Sequence, residues 1–286
     1  MGALEAERLE LDGLAAAAGT SVLSVVGAGR SRRVRLGDGR EAFAKVWAHA
    51  PQDFFQAEAR GLAWLAGTGA VDVPDVLSYS RGGILMAWIA EVGPSPAAAE
   101  ALGRGLARMH SCGAAAFGAE WPGFVGTLPL DNRLRDLWPA FYAEARLAPY
   151  LELARSRGAI SGRGAALVEQ VMSRLEQLGG PPEPPSRLHG DLWSGNVMWG
   201  APGSAWLVDP AAHGGHRETD LAMLALFGTP YLDRIVAAYD EVAPLAAGWQ
   251  RRVPLHQLHP LLVHAALFGS SYGMQAERAA AAALAG

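Results

Sequence analysis

His189-Gly190-Asp191-Leu192-Trp193-Ser194-Gly195-Asn196 is the stretch of this 286-residue sequence that decides its fold. The spacing H-x-D-x-x-x-x-N is typical of kinase catalytic loops, in which the aspartate accepts a hydroxyl proton and the asparagine holds a magnesium ion. With equal residue frequencies, three fixed positions would occur by chance in about one chain of this length in thirty, so the flanking sequence must decide. The segment predicts Asp191 as the catalytic base and Asn196 as a metal ligand.

The sequence after this segment predicts a β-hairpin, because two short apolar runs flank a turn rich in glycine and proline. The runs are 197–199 and 205–208, and the turn is 200–204. With the turn centred between Pro202 and Gly203, Asn196 faces Asp209, and their Cβ atoms would lie roughly 5 Å apart. Amide and carboxylate oxygens at that separation suit Mg²⁺. The hairpin therefore predicts Asp209 as the second metal ligand.

The lysine content singles out one residue near the N-terminus. Of 24 basic residues, Lys45 is the only lysine and the rest are arginines. A strand lysine paired with a helix glutamate positions the α- and β-phosphates of ATP in this class of fold, and Glu58 follows on the next predicted helix. A solvated surface pair, worth about 0–1 kcal/mol, is the alternative. The composition and the downstream loop favour Lys45 and Glu58 as the phosphate-binding pair.

Two further features of the N-terminal region point to nucleotide binding. Gly27 and Gly29 lie between the first two predicted strands, where backbone N–H groups could cover the phosphates, although an ordinary hairpin turn explains them equally well. Met86 and Trp88 belong to a strand that would lead to a hinge, whose backbone could bond adenine. The same apolar character is found in any core strand.

The order of the predicted elements indicates an α+β, protein-kinase-like fold of two lobes. A meander of three strands over 20–48, a helix ending at Gly67 and strands at 76–79 and 83–88 form a small antiparallel N-lobe over residues 1–90. Residues 91–286 form a larger α-rich C-lobe that holds the catalytic loop. Its predicted helices are 97–110, 134–156, 164–178, 218–226, 231–241 and 254–275, with a frayed end at 279–286.

Composition excludes several classes of protein. The net charge of −4 comes from mixed acids and bases, so no basic stripe exists to bind nucleic acid. No apolar run reaches the roughly 18 residues that span a membrane. The single cysteine, Cys112, excludes an intramolecular disulfide and suits a reducing cytoplasm, where we expect it to be a buried free thiol.

The catalytic segment and its neighbours resemble the fructosamine kinase (ketosamine 3-kinase) family. The Trp193 position and the HRE-x-D run at 216–220 are more specific than H-x-D-x-x-x-x-N alone. The other matching segments follow the family's order along nearly the whole chain. They are Asp209-Pro210-Ala211, Phe117-Gly118, Gly126-Thr127, Asn132, 146–149, Gly248-Trp249 and Leu267-Phe268-Gly269.

The resemblance implies ATP-dependent phosphorylation of the 3-hydroxyl of a ketosamine, the Amadori product of a sugar and an amine. The biological role would be deglycation, because the 3-phosphorylated product readily eliminates and frees the amine. The resemblance also implies functions for individual residues. These are Asp191 as base, Asn196 and Asp209 on Mg²⁺, Lys45 and Glu58 on the phosphates, Trp193 and His216 at the acceptor, and Asp220 as a buried brace of the catalytic loop.

Two alternatives remain at this point. One is an aminoglycoside or choline kinase-like phosphotransferase, which Trp193 and the HRE-x-D run disfavour; the other is a nucleotide-binding pseudokinase, which the complete set of polar residues disfavours.

The late helix carries His256 and His259 where the family more often has aromatics, so we expect a different acceptor pocket. The acceptor could be a fructosamine, ribulosamine or erythrulosamine, free or bound to protein, and the sequence makes no prediction of oligomeric state.

Overall fold

The computed structural model describes residues 3–200 and 204–286. Its N-terminal lobe is built on an antiparallel five-stranded sheet with the strand order β1-β2-β3-β5-β4. The strands are β1 Val22–Val26, β2 Ser31–Leu36, β3 Glu41–Val46, β4 Val76–Tyr79 and β5 Gly83–Ala87. Helix α1 (Ala3–Ala17) precedes the sheet, and helix α2 (Phe54–Ala66) connects β3 to β4. The predicted meander and its helix are confirmed.

The alternation of side chains on β3 places the single lysine. Successive side chains of a strand point to opposite faces of the sheet. Ala42, Ala44 and Val46 are buried in a core formed with α1. Lys45, which is out of phase with them, lies on the opposite face and reaches Glu58 of α2. The strand period therefore directs the ammonium group to α2.

The C-terminal lobe is mainly helical and begins with α3. Its helices are α3 Pro96–Ser111, α4 Trp138–Phe141, α5 Ala148–Ser156, α6 Gly162–Met172, α7 Leu175–Leu178, α8 Glu218–Leu226, α9 Leu232–Val242, α10 Trp249–Phe268 and α11 Ser270–Ala285. Three short antiparallel pairs interrupt them. The pairs are β6 Gly123–Val125 with β7 Leu128–Leu130, β8 Ser186–Leu188 with β11 His213–Gly215, and β9 Val197–Trp199 with β10 Ala205–Leu207.

Two hydrophobic cores organise this lobe. One lies between the lobes and joins Phe55 and Met86 from the N-lobe to Leu106 and Leu192 from the C-lobe. The other lies among the helices of the C-lobe and includes Phe141, Tyr150 and Leu258. Because the first core packs against the catalytic loop through Leu192, the position of that loop relative to the sheet is set by apolar packing.

Three predicted helices are wrong in their extent. The helix predicted over 164–178 is two helices, α6 and α7, which are separated after Met172. The segment predicted over 134–156 becomes helical only at Trp138, and a π-helical turn over Tyr142–Leu147 interrupts it. The helix predicted over 254–275 is two helices, because Gly269 with φ 100° separates α10 from α11. A positive φ of this kind is accessible to glycine at little cost.

The C-terminal segment and the cysteine also differ from expectation. The alanine-rich end is not frayed, since Ala279, Ala280 and Ala283 of α11 are buried in the helical core. Cys112 is exposed just after α3 rather than buried. Among the described residues, no helix combines the length and the apolar character that crossing a membrane requires.

Candidate active site

A cleft of about 360 Å³ lies between the lobes and brings together the residues that the sequence predicted for catalysis and phosphate binding. The predicted residues on its surface are Lys45, Glu58, Asp191, Trp193, Asn196 and Asp209. They come from β3, α2, the catalytic loop and the segment after β10, which are far apart in sequence. Their convergence is a result of the tertiary structure.

The catalytic loop is held by one buried carboxylate. Asp220, in the first turn of α8, accepts backbone hydrogen bonds from His189 at 2.8 Å and from Gly190 at 2.9 Å. His110 Nε2 lies 3.1 Å from the same carboxylate. Gly190 has φ 83°, and a side chain there would collide with the backbone of Ala211. The loop conformation therefore depends on a glycine and on a fixed acceptor, as expected for Asp220 as a brace.

His189 links the catalytic loop to the segment that carries Asp209. Its Nε2–H donates to the carbonyl of Val208 at 2.9 Å, and its Nδ1 accepts from the backbone N–H of Asp191 at 3.3 Å. Burial lowers the pKa of His189, which keeps the imidazole neutral and consistent with one donor and one acceptor nitrogen. One neutral ring thus connects the backbone of Asp191 to the residue that precedes Asp209.

Asn196 is oriented by Asp191. Its amide nitrogen donates to the backbone carbonyl of Asp191 at 2.8 Å and to Oδ2 of the same residue at 3.2 Å. Both partners are acceptors, so the network assigns the nitrogen and oxygen of the amide. The carbonyl oxygen of Asn196 is the group left to bind a cation.

The predicted register of the hairpin is wrong by one residue. Leu207 pairs with Val197, so Val208, not Asp209, is opposite Asn196. The turn residues 201–203, on which the prediction depended, lie outside the described residues. Asp209 follows with φ 56°, a left-handed conformation that is uncommon for a residue other than glycine. Its presence in the cleft results from this backbone conformation rather than from direct cross-strand pairing.

Lys45 forms ion pairs with both carboxylates that face it. Its Nζ donates to Glu58 Oε1 at 2.7 Å and also to Asp209. Burial alone would lower the pKa of Lys45, but the charges of Glu58 and Asp209 outweigh it and the pKa lies above its usual value. The ammonium stays charged between the two acids, so the alternative of a solvated surface pair does not describe it.

Asp191 is partly buried, and its carboxyl group is a weaker acid than that of an ordinary aspartate. Burial raises its pKa to about 7, the Asn196 amide opposes the shift, and the Asp209 and Asp220 carboxylates add to it. A carboxylate with a pKa near 7 accepts a proton more readily than an ordinary aspartate does at neutral pH. The site therefore contains a group with the properties of a general base.

The glycine-rich loop is anchored to α1 by an arginine. Arg32 donates from Nε to the carbonyl of Gly29 at 2.8 Å and forms an ion pair with Glu7. Gly27 and Gly29 have positive φ angles of 101° and 80°, as a tight turn requires, and neither borders the cleft. Arg30 does border it, with its guanidinium 4.0 Å from the centre of the Trp47 ring.

This anchor leads to a first prediction. Arg32→Ala removes the hydrogen bond that holds the glycine-rich loop, so part of the binding energy of ATP must be used to order the loop. We expect KM for ATP to rise about fivefold, which corresponds to a lost hydrogen bond of about 1 kcal/mol. The exposed Arg35 on the same strand provides the control, Arg35→Ala. Initial rates over a range of ATP concentrations measure the effect. A KM for Arg32→Ala equal to that of Arg35→Ala would contradict the anchoring function.

Besides Gly27 and Gly29, three more of the predicted binding residues do not reach the cleft. Met86 is buried in the core between the lobes, and Trp88 lies under the guanidinium of Arg33 at 4.6 Å. His216 is buried against the rings of Trp138 and His256, at centroid distances of 5.0 and 4.7 Å. Its side chain therefore packs inside the C-lobe, and its assignment to the acceptor site is wrong. A backbone contact between the hinge and adenine stays a prediction.

Several aromatic residues of the cleft were not predicted. Trp47, Phe54 and Phe124 form one wall, with ring centroids 5.4 Å apart for the first pair and 5.1 Å for the second. Phe124 belongs to β6, a strand too short to show a period. The sequence signal that could have located it is the Gly126-Thr127 match, which lies in the same hairpin and also borders the cleft.

The sequence model of the fructosamine kinase family matches residues 15–285. The chain belongs to the fructosamine kinase family. A relative from Enterococcus faecium, described as a "Probable ketoamine kinase", is 34% identical over 263 residues. The match covers 90% of this chain and 93% of the relative. The chloroplastic protein-ribulosamine 3-kinase of Arabidopsis thaliana is 35% identical over 230 residues, 76% of this chain and 68% of the relative.

Solved structures agree with this family assignment. This chain is similar to the crystal structure of a candidate fructosamine-3-kinase from Thermobifida fusca. The TM-score is 0.92, the identity is 49%, and the match covers 98% of both chains. Choline kinase of Streptococcus pneumoniae, at 16% identity and a TM-score of 0.60 over 92% of this chain and 94% of that chain, shares the fold alone. The predicted α+β, protein-kinase-like fold is confirmed.

Proposed function

We propose that this member of the fructosamine kinase family transfers the γ-phosphate of ATP to the 3-hydroxyl of a ketosamine. Membership of a kinase family implies the use of ATP. The observation that supports the transfer most strongly is Asp191, a carboxylate with a pKa near 7 that is fixed at the cleft by Asn196 and by the braced loop. Phosphorylation of the 3-hydroxyl makes the ketosamine prone to elimination, so the proposed biological role is deglycation.

Each polar residue of the cleft has a proposed function in this reaction. Asp191 accepts the proton of the acceptor hydroxyl as that oxygen attacks the γ-phosphorus. Lys45, held by Glu58, donates to the α- and β-phosphates. Trp193 forms a wall of the acceptor pocket, since it is half-exposed beside Asp191.

The donor atoms of the cleft fit a magnesium ion. Asn196 keeps its carbonyl oxygen available, and Asp209 offers a carboxylate that is 45% exposed and forms an ion pair with Lys45. Hard oxygen donors of this kind, with phosphate oxygens and water, are what Mg²⁺ prefers. When bound, the ion would neutralise charge on the phosphate oxygens. Asn196 and Asp209 are the residues that would hold it.

A second prediction compares these two ligands. Asp209→Ala removes a charged oxygen donor and Asn196→Ala a neutral one, so the first should weaken MgATP binding about tenfold more than the second, a difference of about 1.4 kcal/mol. Calorimetric titration with MgATP measures both affinities, and ATP with EDTA shows the metal-independent part. Equal affinities of the two variants for MgATP, both as tight as wild type, would refute the metal site.

A third prediction concerns pH. Asp191 acts as a base only when it is ionised, and its pKa is about 7. The value of kcat/KM for the acceptor should therefore fall about tenfold per pH unit below 7 and level off above it. A profile of kcat/KM from pH 5.5 to 8.5 at saturating MgATP measures this. A profile that is flat between pH 5.5 and 7 would show that Asp191 does not carry the base function with this pKa.

The proposed function is tested by a coupled ATPase assay against a panel of acceptors. The panel consists of fructosamines, ribulosamines and erythrulosamines, with an aminoglycoside and choline as controls. We expect acceptor-dependent ADP release with at least one ketosamine and none with the controls. Turnover of choline or the aminoglycoside, with none of any ketosamine, would favour the alternative phosphotransferase. Tight nucleotide binding without turnover of any acceptor would favour the pseudokinase.

A further inference from the structure

A series of aromatic rings leads from the catalytic loop onto the surface of the C-lobe. The ring of Trp193 makes an edge contact with Phe227, with centroids 6.1 Å apart and planes at 77°. Phe227 contacts His264 at 5.0 Å and Tyr272 at 6.5 Å. Phe268 closes the series, 5.4 Å from His264 and 6.1 Å from Tyr272. We call these five residues the aromatic strip.

The strip is open to solvent at both ends. Trp193 is 38% exposed at the cleft, and Phe268 is 65% exposed at the corner between α10 and α11. The three rings between them, Phe227, His264 and Tyr272, are half-buried. Exposed aromatic side chains joined into one apolar patch are uncommon unless they bind something. Because the patch is continuous with the cleft through Trp193, its occupant should be a molecule that also enters the cleft.

Local structure holds the strip in place. Gly195 leaves space for the folded-back indole of Trp193, since a Cβ there would overlap the ring. The break at Gly269 turns the chain so that Phe268 and Tyr272 meet at one corner. Gly195 belongs to the catalytic loop and Gly269 lies between α10 and α11, so the two glycines fix opposite ends of the strip.

The side chains of the strip are aromatic and carry no charge. His264 donates from Nδ1 to the carbonyl of Pro260 at 2.7 Å, and burial lowers its pKa, so its ring is neutral. Across from the strip, the β6–β7 turn approaches closely, because a Cβ at Gly126 would lie 3.3 Å from Leu267. A flat, uncharged substituent would find aromatic faces on one side and an aliphatic side chain beside them.

We propose that the aromatic strip binds the amine-side substituent of the acceptor and selects ketosamines formed from aromatic or bulky apolar amines. This inference rests on the proposed ketosamine kinase function. The sugar hydroxyl that reacts must lie at Asp191, so the amine and its substituent continue away from that point. Trp193 adjoins Asp191 and begins the strip, which offers the substituent an apolar path out of the cleft. The ammonium of the ketosamine would lie near the Trp193 ring, whose face attracts cations.

The test compares two acceptors that carry the same sugar, one made from 2-phenylethylamine and one from methylamine. The readout is the ratio of their kcat/KM values, measured by coupled ATPase assay. We expect wild type to favour the phenylethyl acceptor about tenfold, the effect of burying part of one phenyl ring. Phe268→Ala and Tyr272→Ala should each reduce the ratio several-fold, whereas Phe268→Tyr should retain it.

Met274→Ala is the matched control, because Met274 is 58% exposed on the same helix α11 and takes no part in the strip. The ratio for this variant should equal that of wild type. Equal kcat/KM for both acceptors in wild type, or a ratio unchanged in both Phe268→Ala and Tyr272→Ala, would overturn the inference and leave the proposed function intact. Failure to turn over either ketosamine would overturn the proposed function and this inference with it.

Discussion

Asp191→Asn is expected to lower kcat by about 10²–10⁴, the usual effect of removing a general base. The amide is nearly isosteric with the carboxylate, and Asp191 does not contact the phosphate-binding Lys45 among the described contacts. Affinity for MgATP should therefore stay within a few-fold of wild type. Single-turnover kinetics and nucleotide titration measure the two quantities separately.

Stability provides the control for this variant. The pKa of Asp191 is raised in the folded protein to about 7 from 3.8, so the ionised carboxylate destabilises the fold above pH 7 and loses this effect as pH falls toward 4. Asp191→Asn should melt at a higher temperature than wild type at pH 8. Asp233→Asn, at an exposed carboxylate in the first turn of α9, should leave turnover unchanged and should not raise the melting temperature, because it removes a charge that the helix dipole favours. A kcat for Asp191→Asn within threefold of wild type would refute the base assignment.

Lys45→Arg is expected to lower turnover by about 10² or more, although it keeps the positive charge. A lysine ammonium is compact and fits between Glu58 and the phosphates, whereas a guanidinium is larger and its forked donors have a different geometry. Glu58→Gln keeps the size of the side chain that faces Lys45 and removes its charge. We expect a smaller loss for Glu58→Gln, because Lys45 would remain in place near Asp209.

The composition of the chain allows a direct measurement of this residue. Lys45 is the only lysine, so an amine-reactive acyl-phosphate derivative of ATP has one side-chain target besides the N-terminus. Labelling should occur at Lys45, and excess ATP should prevent it. Labelling of Lys45 that ATP leaves unchanged, together with normal turnover by Lys45→Arg, would show that this lysine does not bind the phosphates.

The sequence could predict the parts of the site that depend on local patterns. Asp191 and Asn196 lie in one short loop with a fixed spacing, and the period of β3 directs Lys45 toward α2. Asp209 was predicted for a reason that the structure corrects, since the hairpin register differs by one residue and the backbone of Asp209 is left-handed. A left-handed backbone conformation at a residue other than glycine cannot be read from the spacing of residues in a sequence.

Other parts depend on tertiary packing and could not be predicted. His216 belongs to a recognisable sequence motif, but its ring packs against Trp138 and His256 inside the C-lobe. The expectation that His256 and His259 alter the acceptor pocket fails for the same reason, since both are buried away from the cleft. Phe124 reaches the cleft from a three-residue strand, where no periodicity can be read.

The measurement that tests the central claim most directly is identification of the product. The protein is incubated with MgATP and a fructosamine, and the acceptor is followed by ³¹P and ¹³C nuclear magnetic resonance. We predict one phosphate ester on the 3-hydroxyl, equimolar with the ADP formed, followed by slow release of the free amine. ATP consumption with inorganic phosphate as the only phosphorus product besides ADP, or phosphate on another hydroxyl, would contradict the account.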